Sequence, residues 1–277
     1  MTLVVLPLYD LPETRAAYDR FWAAVRGRLE AAGMNDLPPA ALPPVTLPGT
    51  PDRPADPRAA WLDPDLLLAQ ADAYAVTAMP AGRVRLVATP RYRTSGGSGA
   101  RHRSFILVPR DAAAHRVIDL RGSRCAVDAW DSNTGMNLLR AAVAPLARDG
   151  RFFAGVTVTG SQTASLEAVA TGTADTAAID CVNHALLSRH RAELVDRTRV
   201  LAVTAATPCP PFITSANTGD AMLDTLRAAL RETVEADLES LRADLLLDGF
   251  DLLPERAYRV VRRLEDQAAK LGYPVLA

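Results

Sequence analysis

Short apolar runs and stretches of helical periodicity alternate along the N-terminal third of the chain. Residues 3–8 and 66–69 are continuous apolar runs of buried-strand length, and residues 83–89 form a third strand candidate. Apolar positions recur with a spacing close to 3.6 over residues 17–29. This part is therefore predicted to form a strand, a long helix and two further strands.

Two features mark the borders of the long helix. Asp10, followed by Pro12 and Glu13, has the signature of a helix start. Residues 38–57 hold too many prolines for a helix or a central strand, and we predict a surface excursion there.

The middle of the chain has the most regular alternation of strand-like and helix-like segments. Such an alternation predicts parallel β-α-β units with helices on both faces of a sheet. The predicted strands are residues 124–128, 153–159, 176–180 and 199–204, and the predicted helices are residues 133–147, 163–171 and 182–190.

Changes in composition along the chain predict two lobes. A polar, glycine-rich segment at residues 94–100 and a proline-rich one at residues 208–211 bracket the regular middle part. We therefore predict an α/β protein with a discontinuous lobe one, residues 1–92 plus 206–277, and an inserted lobe two, residues 93–205.

Composition narrows the class of protein. Of the 277 residues, 49% are hydrophobic and 23% are charged, as in folded globular chains, and 31 basic against 32 acidic residues leave a net charge of -1. That balance argues against nucleic acid as a partner, and no apolar run is long enough to span a membrane. Cys125, Cys181 and Cys209 lack the spacing of a zinc or redox site and are predicted to be structural.

Two loops of the predicted lobe two carry candidate chemistry. Residues 131–135 (DSNTG) and 159–165 (TGSQTAS) each join a strand to a helix start and are rich in hydroxyl and amide side chains. Free N–H groups at a helix start, together with such side chains, can surround an anion. Ordinary helix capping is the alternative for each loop.

Three further residues stand at strand ends. Asp180 follows a buried strand, where it could cap the next helix or accept a hydrogen bond from a ligand donor. Tyr9 and Gln70 follow the first two strands of lobe one, at the matching edge of its predicted sheet.

The order and spacing of these segments resemble the phosphate/phosphite/phosphonate substrate-binding family of ABC transporters. The resemblance is strongest between Asp119 and Leu187, and it extends to residues 9–12 and 213–215. It implies the type II periplasmic-binding-protein fold, in which two α/β lobes joined by two crossover strands close on a tetrahedral oxyanion. It also implies an ABC permease as partner. We further expect that the protein is not an enzyme, needs no cofactor or metal, and is a monomer.

The resemblance assigns roles to individual residues. Ser132, Thr134, Ser161 and Ser165 would hold the oxyanion, Tyr9 would reach it from the other lobe, and Asp180 would face the variable end of the ligand. Asn133, Gln162 and Gln70 complete the predicted ligand-binding set. Gln162 is a departure, because many members of the family have histidine at this position.

Alternatives remain open at this point. The N-terminus as written lacks a basic region and a cleavage site, which predicts a cytoplasmic protein, or a periplasmic one if a leader was removed. A cytosolic sensor of the same fold is therefore the second reading. An enzyme is the third, but no serine lies in G-x-S-x-G, and His102, within a basic cluster, is expected on a solvated loop.

Overall fold

The computed structural model describes residues 2–6, 8–9, 11–41, 57–80 and 82–277. The predicted helix-start residue Asp10 and most of the proline-rich segment lie outside the described residues. Contacts divide the chain into two units, unit 1 (residues 1–93 and 208–257) and unit 2 (residues 94–207 and 258–277).

Unit 1 is built on a five-stranded mixed sheet. The strands are β1 (Leu3–Val5), β2 (Leu66–Gln70), β3 (Val84–Tyr92), β11 (Phe212–Ser215) and β12 (Leu247–Asp251). Their order in the sheet is β1-β2-β11-β3-β12. β1 and β2 are parallel, and β11 runs antiparallel to both β2 and β3.

Apolar periodicity determines which face of the long helix of unit 1 is buried. Phe21, Val25 and Leu29 repeat on one side of this helix and are buried, and the ring of Phe21 lies 6.4 Å from that of Phe212. The chain leaves the helix through Gly33, whose φ of 93° suits glycine. The helices of unit 1 are α1 (Arg15–Ala31), α2 (Pro57–Trp61), α3 (Ala73–Ala78), α8 (Asp220–Ala236) and α9 (Leu238–Leu245).

Unit 2 contains a second five-stranded sheet. Its chain segment includes the strands β4 (Arg101–His102), β5 (Ser104–Pro109), β6 (Arg124–Val127), β7 (Gly155–Val158), β8 (Thr176–Asp180) and β9 (Thr198–Val203), and β10 (Thr207–Pro208) lies at the border of the units. The order in the sheet is β7-β6-β8-β5-β9. β6 is parallel to β7 and β8, as predicted, whereas β5 is antiparallel to β8 and β9, so the sheet is mixed.

Helices follow the parallel strands of unit 2. The helix predicted over residues 133–147 is composite: a π-helical turn, Asn133–Asn137, leads into α4 (Leu138–Val143) and a 3-10 turn, Ala144–Leu146. Such π turns occur often at functional sites. The other helices are α5 (Gln162–Ala170), α6 (Cys181–His190), α7 (Ala192–Val195) and α10 (Arg259–Lys270).

The C-terminal segment differs from the prediction, which placed residues 206–277 entirely in lobe one. Residues 258–277 belong to unit 2. Val261 and Ala268 of α10 are buried, and the carbonyl of Val261 accepts a hydrogen bond from Asn137 Nδ2 at 3.2 Å. The carbonyl of Ala277 accepts hydrogen bonds from the backbone N–H groups of Phe152 and Phe153. These bonds tie the C-terminus to unit 2. No helix in the described part of the chain has the length and apolarity needed to cross a membrane.

Candidate functional site

The predicted chemistry of unit 2 gathers at one edge of its sheet. β6, β7 and β8 are parallel, so their carboxyl ends lie at the same edge. β5 runs the other way and begins there, with Ser104 in register with Asp180. Three loops and the start of a fourth strand therefore share this edge.

The first loop leads from β6 into the π-helical turn. The Ser132 hydroxyl accepts a hydrogen bond from the backbone N–H of Gly135 at 3.0 Å and so caps the helix. Ser132 and Thr134 are 6% and 4% exposed. The predicted alternative of helix capping is therefore realised for Ser132.

Asn133 lies in the same turn, but its side-chain amide is engaged inside the unit. Its Nδ2 donates to Thr207 Oγ1 at 2.9 Å, and its Oδ1 accepts from Asn137 Nδ2 at 3.1 Å. Asn133 is 1% exposed, so these bonds brace the loop from within.

The second loop leads from β7 into α5. Ser161 caps α5 by accepting a hydrogen bond from the N–H of Ala164 at 3.1 Å, and it is exposed. Ser165 is buried one turn further on, with its hydroxyl 2.7 Å from that of Thr159. Of the two predicted serines, Ser161 is the one at the surface.

Gln162 connects the loops. Its Nε2 donates to Thr134 Oγ1 at 2.7 Å, while its Oε1 accepts from the N–H of Asp180 at 2.8 Å and from Asn183 Nδ2 at 3.1 Å. One buried side chain thus joins the starts of three helices.

Asp180 ends β8 and caps α6 by accepting a hydrogen bond from the N–H of Val182 at 2.7 Å. Its other oxygen lies 2.8 Å from Nδ1 of His102, and both side chains are 1% exposed. The expectation of a solvated His102 is wrong. The antiparallel β5 explains the difference, because it brings the preceding residues back to the end of β8.

Asp128, directly after β6, is a site residue that the sequence reasoning missed. Burial raises the pKa of its carboxyl group to about 6, although a hydrogen bond from the Ser132 side chain and the nearby amide of Gln162 favour the charged form. Its Oδ1 is buried against Gly135, where a Cβ atom would lie only 2.7 Å from the carboxylate carbon. A glycine seven residues after a strand-end aspartate was the available signal.

The predicted residues of unit 1 form a cluster of their own. The rings of Tyr9 and Tyr92 meet edge to face with centroids 5.3 Å apart, and Tyr9 is 2% exposed. Gln70 donates to the Tyr92 hydroxyl at 2.9 Å and to the carbonyl of Pro210 at 3.3 Å. Tyr92, which links the two predicted residues, was not anticipated.

Within the described residues, no group of three or more histidine, cysteine, aspartate or glutamate side chains could hold a metal ion. Cys125, Cys181 and Cys209 are buried free thiols. Burial is the main cause that raises the pKa of the Cys181 thiol to about 12, which leaves it a poor nucleophile.

Solved structures share this fold over nearly the whole chain. PhnD1 from Prochlorococcus marinus, in complex with methylphosphonate, has a TM-score of 0.74 at 11% identity and covers 97% of this chain and 98% of its own. A binding-protein component of an ABC phosphonate transporter from Pseudomonas aeruginosa has a TM-score of 0.72 at 13% identity, with 98% and 87% covered. A Xanthomonas citri protein bound to ATP has a TM-score of 0.68 at 16% identity, with 98% of both chains covered.

These likenesses establish the type II periplasmic-binding-protein fold that the resemblance implied. No curated protein matches the sequence. The family described as periplasmic substrate-binding protein of phosphonate ABC transporters matches residues 65–258, more than half of the chain. The protein therefore belongs to the phosphonate-binding family of ABC-transporter periplasmic substrate-binding proteins.

Proposed function

We propose that the protein binds a small oxyanion of the phosphonate, phosphate or phosphite type and delivers it, without chemical change, to an ABC permease. The observation that carries this proposal is the pair of hydroxyl-rich helix starts at one sheet edge, capped by Ser132 and Ser161. Membership of a family of ABC-transporter substrate-binding proteins supports the delivery step and a periplasmic location.

The physical basis is local capture of negative charge. The whole chain carries a net charge of only -1, so no global field draws an anion in. A helix N-terminus contributes about 0.3–1 kcal/mol toward an anion, whereas each hydrogen bond to a charged group contributes about 1.5–3 kcal/mol. Hydroxyl and N–H donors would therefore set most of the affinity.

Calorimetry against methylphosphonate, phosphate, phosphite and sulfate tests the proposal. We expect binding heat and a raised unfolding temperature with at least one phosphorus oxyanion. Absence of both effects with all four anions would refute oxyanion binding.

Substitution of the capping serines tests the location. Ser161→Ala, which removes an exposed hydroxyl, should weaken binding by about 1–3 kcal/mol while the protein stays folded. Ser132→Ala should weaken binding through loss of order in the first helix start, because the Ser132 hydroxyl donates to Asp128. Ser188→Ala is a matched control, because this exposed hydroxyl in α6 donates only to neighbouring His184. Equal losses in the control, or none in the two site variants, would mean that these serines are caps and nothing more.

The proposal extends to the remaining predicted residues on the strength of the resemblance. Thr134 and Ser165 add hydroxyl groups, and Asn133 braces the first loop. For Asp180 we propose a role in selection between ligands. Asp180→Asn should therefore change the order in which the anions are preferred more than it changes the overall affinity. An unchanged order would leave Asp180 as a cap of α6.

A further inference from the structure

The side chain of Gln162 is held at both of its polar atoms inside unit 2. Its Nε2 donates to Thr134 Oγ1 at 2.7 Å and lies beside the Asp128 carboxylate, and its Oε1 accepts from Asp180 N and Asn183 Nδ2. Both acceptor positions of the amide oxygen and one of the two donor hydrogens are therefore taken. Gln162 is also nine-tenths buried.

The partners also fix which way the amide points. Turning it over would place the NH₂ group against two N–H donors and the oxygen against the Asp128 carboxylate. The observed orientation is therefore the one that the surroundings allow.

This orientation decides what the Thr134 hydroxyl can do. Thr134 Oγ1 already receives a hydrogen from Gln162 at 2.7 Å, so its own hydrogen must point to another acceptor. Among the described residues, Thr134 Oγ1 has no second hydrogen-bond partner. The backbone of Thr134 is held as well, since its carbonyl accepts from Ser104 Oγ at 2.8 Å.

We propose that Gln162 is a positioning residue that holds the Thr134 hydroxyl as a donor to the ligand oxyanion and does not bind the ligand itself. This inference rests on the proposed function and refines the predicted ligand contact of Gln162. It assigns the site a preference for ligands that present an acceptor oxygen to Thr134.

Gln162→Glu is the sharpest perturbation. The new carboxylate is of similar size, but it faces Thr134 with an acceptor, so the hydroxyl would turn and donate to Glu in place of the ligand. Binding of methylphosphonate and phosphate, measured by calorimetry, should weaken about tenfold to a hundredfold. The added charge also repels an anion, and a double-mutant cycle with Thr134→Val separates the two effects, because only repulsion survives without the hydroxyl.

We expect Thr134→Val alone to weaken binding about tenfold or more and Thr134→Ser, which keeps the hydroxyl, to bind within about threefold of wild type. In the Thr134→Val background, the loss of affinity caused by Gln162→Glu should be smaller by at least about fivefold than in the wild-type background. Losses that simply multiply would overturn the inference, because Gln162 would then act independently of Thr134.

Gln162→Met provides a second, uncharged test if the Glu variant does not fold. It frees the hydroxyl and should weaken binding severalfold in the wild-type background and not at all in the Thr134→Val background. A loss of equal size in both backgrounds would overturn the inference. Wild-type protein that binds neither anion would instead refute the proposed function, and this result is read before any variant is compared.

Discussion

Replacing Gly135 by alanine tests how closely the first helix start is packed against Asp128. A Cβ atom there would lie 2.7 Å from the carboxylate carbon of Asp128, 3.1 Å from Ser132 Oγ, and closer still to Asp128 Oδ1. Carbon and oxygen atoms that are not bonded approach to about 3.3 Å at the closest. The carboxylate must therefore move, and its hydrogen bond with Ser132 is strained or lost.

The size of the effect follows from three contributions. Inserting a methyl group into packed surroundings costs about 1–3 kcal/mol, and losing a hydrogen bond to a carboxylate costs about 1.5–3 kcal/mol. Alanine regains about 1 kcal/mol as a better helix former than glycine. We expect Gly135→Ala to lower the free energy of unfolding by about 2–4 kcal/mol.

Urea unfolding followed by circular dichroism measures this loss. Gly27→Ala is a matched control, since Gly27 lies within α1 with nothing within 4 Å of its added Cβ, and it should gain about 0.5–1 kcal/mol. In an Asp128→Ala background, Gly135→Ala should cost less than about 1 kcal/mol because the clash is gone. A Gly135→Ala protein as stable as wild type, beside a control that behaves as expected, would refute the packing argument.

Two other predictions concern charges at the same sheet edge. Burial raises the pKa of Asp128 to about 6, so the folded state holds this proton more tightly than the unfolded chain, and wild-type stability should fall as pH rises from about 4 to 6. Asp128→Asn removes this decline, which amounts to about 2–3 kcal/mol in urea unfolding across that range, and parallel curves for the two proteins would contradict the assignment. His102→Leu removes the buried partner of the Asp180 carboxylate and should cost about 1.5–3 kcal/mol, much of it recovered by adding Asp180→Asn. A loss below about 1 kcal/mol in thermal or urea unfolding would mean that the pair matters little.

Much of unit 2 could be predicted because its strands and helices have strong local signals. The apolar run that ends at Asp180 is a buried strand, and the hydroxyl-rich segment after β7 is a helix start capped by Ser161. Parallel strands place such loops at one edge wherever they occur in the sequence. The convergence of the two loops therefore followed from topology alone.

Contacts between distant parts of the sequence have no such signal. His102 and Asp180 meet only because β5 is antiparallel to β8, and a basic cluster around a histidine otherwise looks like a solvated loop. The helix α10 has a clear apolar face, yet amphipathicity does not say which surface that face will cover. The hydrogen bonds of Asn137 and of the Ala277 carbonyl attach this segment to unit 2, and periodicity does not reveal them.

The carboxylates at this edge bear on how a ligand would be oriented. Asp180 places a negative charge at the start of α6 and accepts from its Val182 N–H, so the positive end of that helix dipole is already compensated. The start of α5 is capped by Ser161, a neutral hydroxyl, and keeps its partial positive charge. We therefore propose that an anionic group lies beside Ser161 and the Thr134 hydroxyl, and a neutral or cationic group beside Asp180. This asymmetry is the physical reason to expect that Asp180 discriminates between ligands while Ser161 contributes to the binding of all of them.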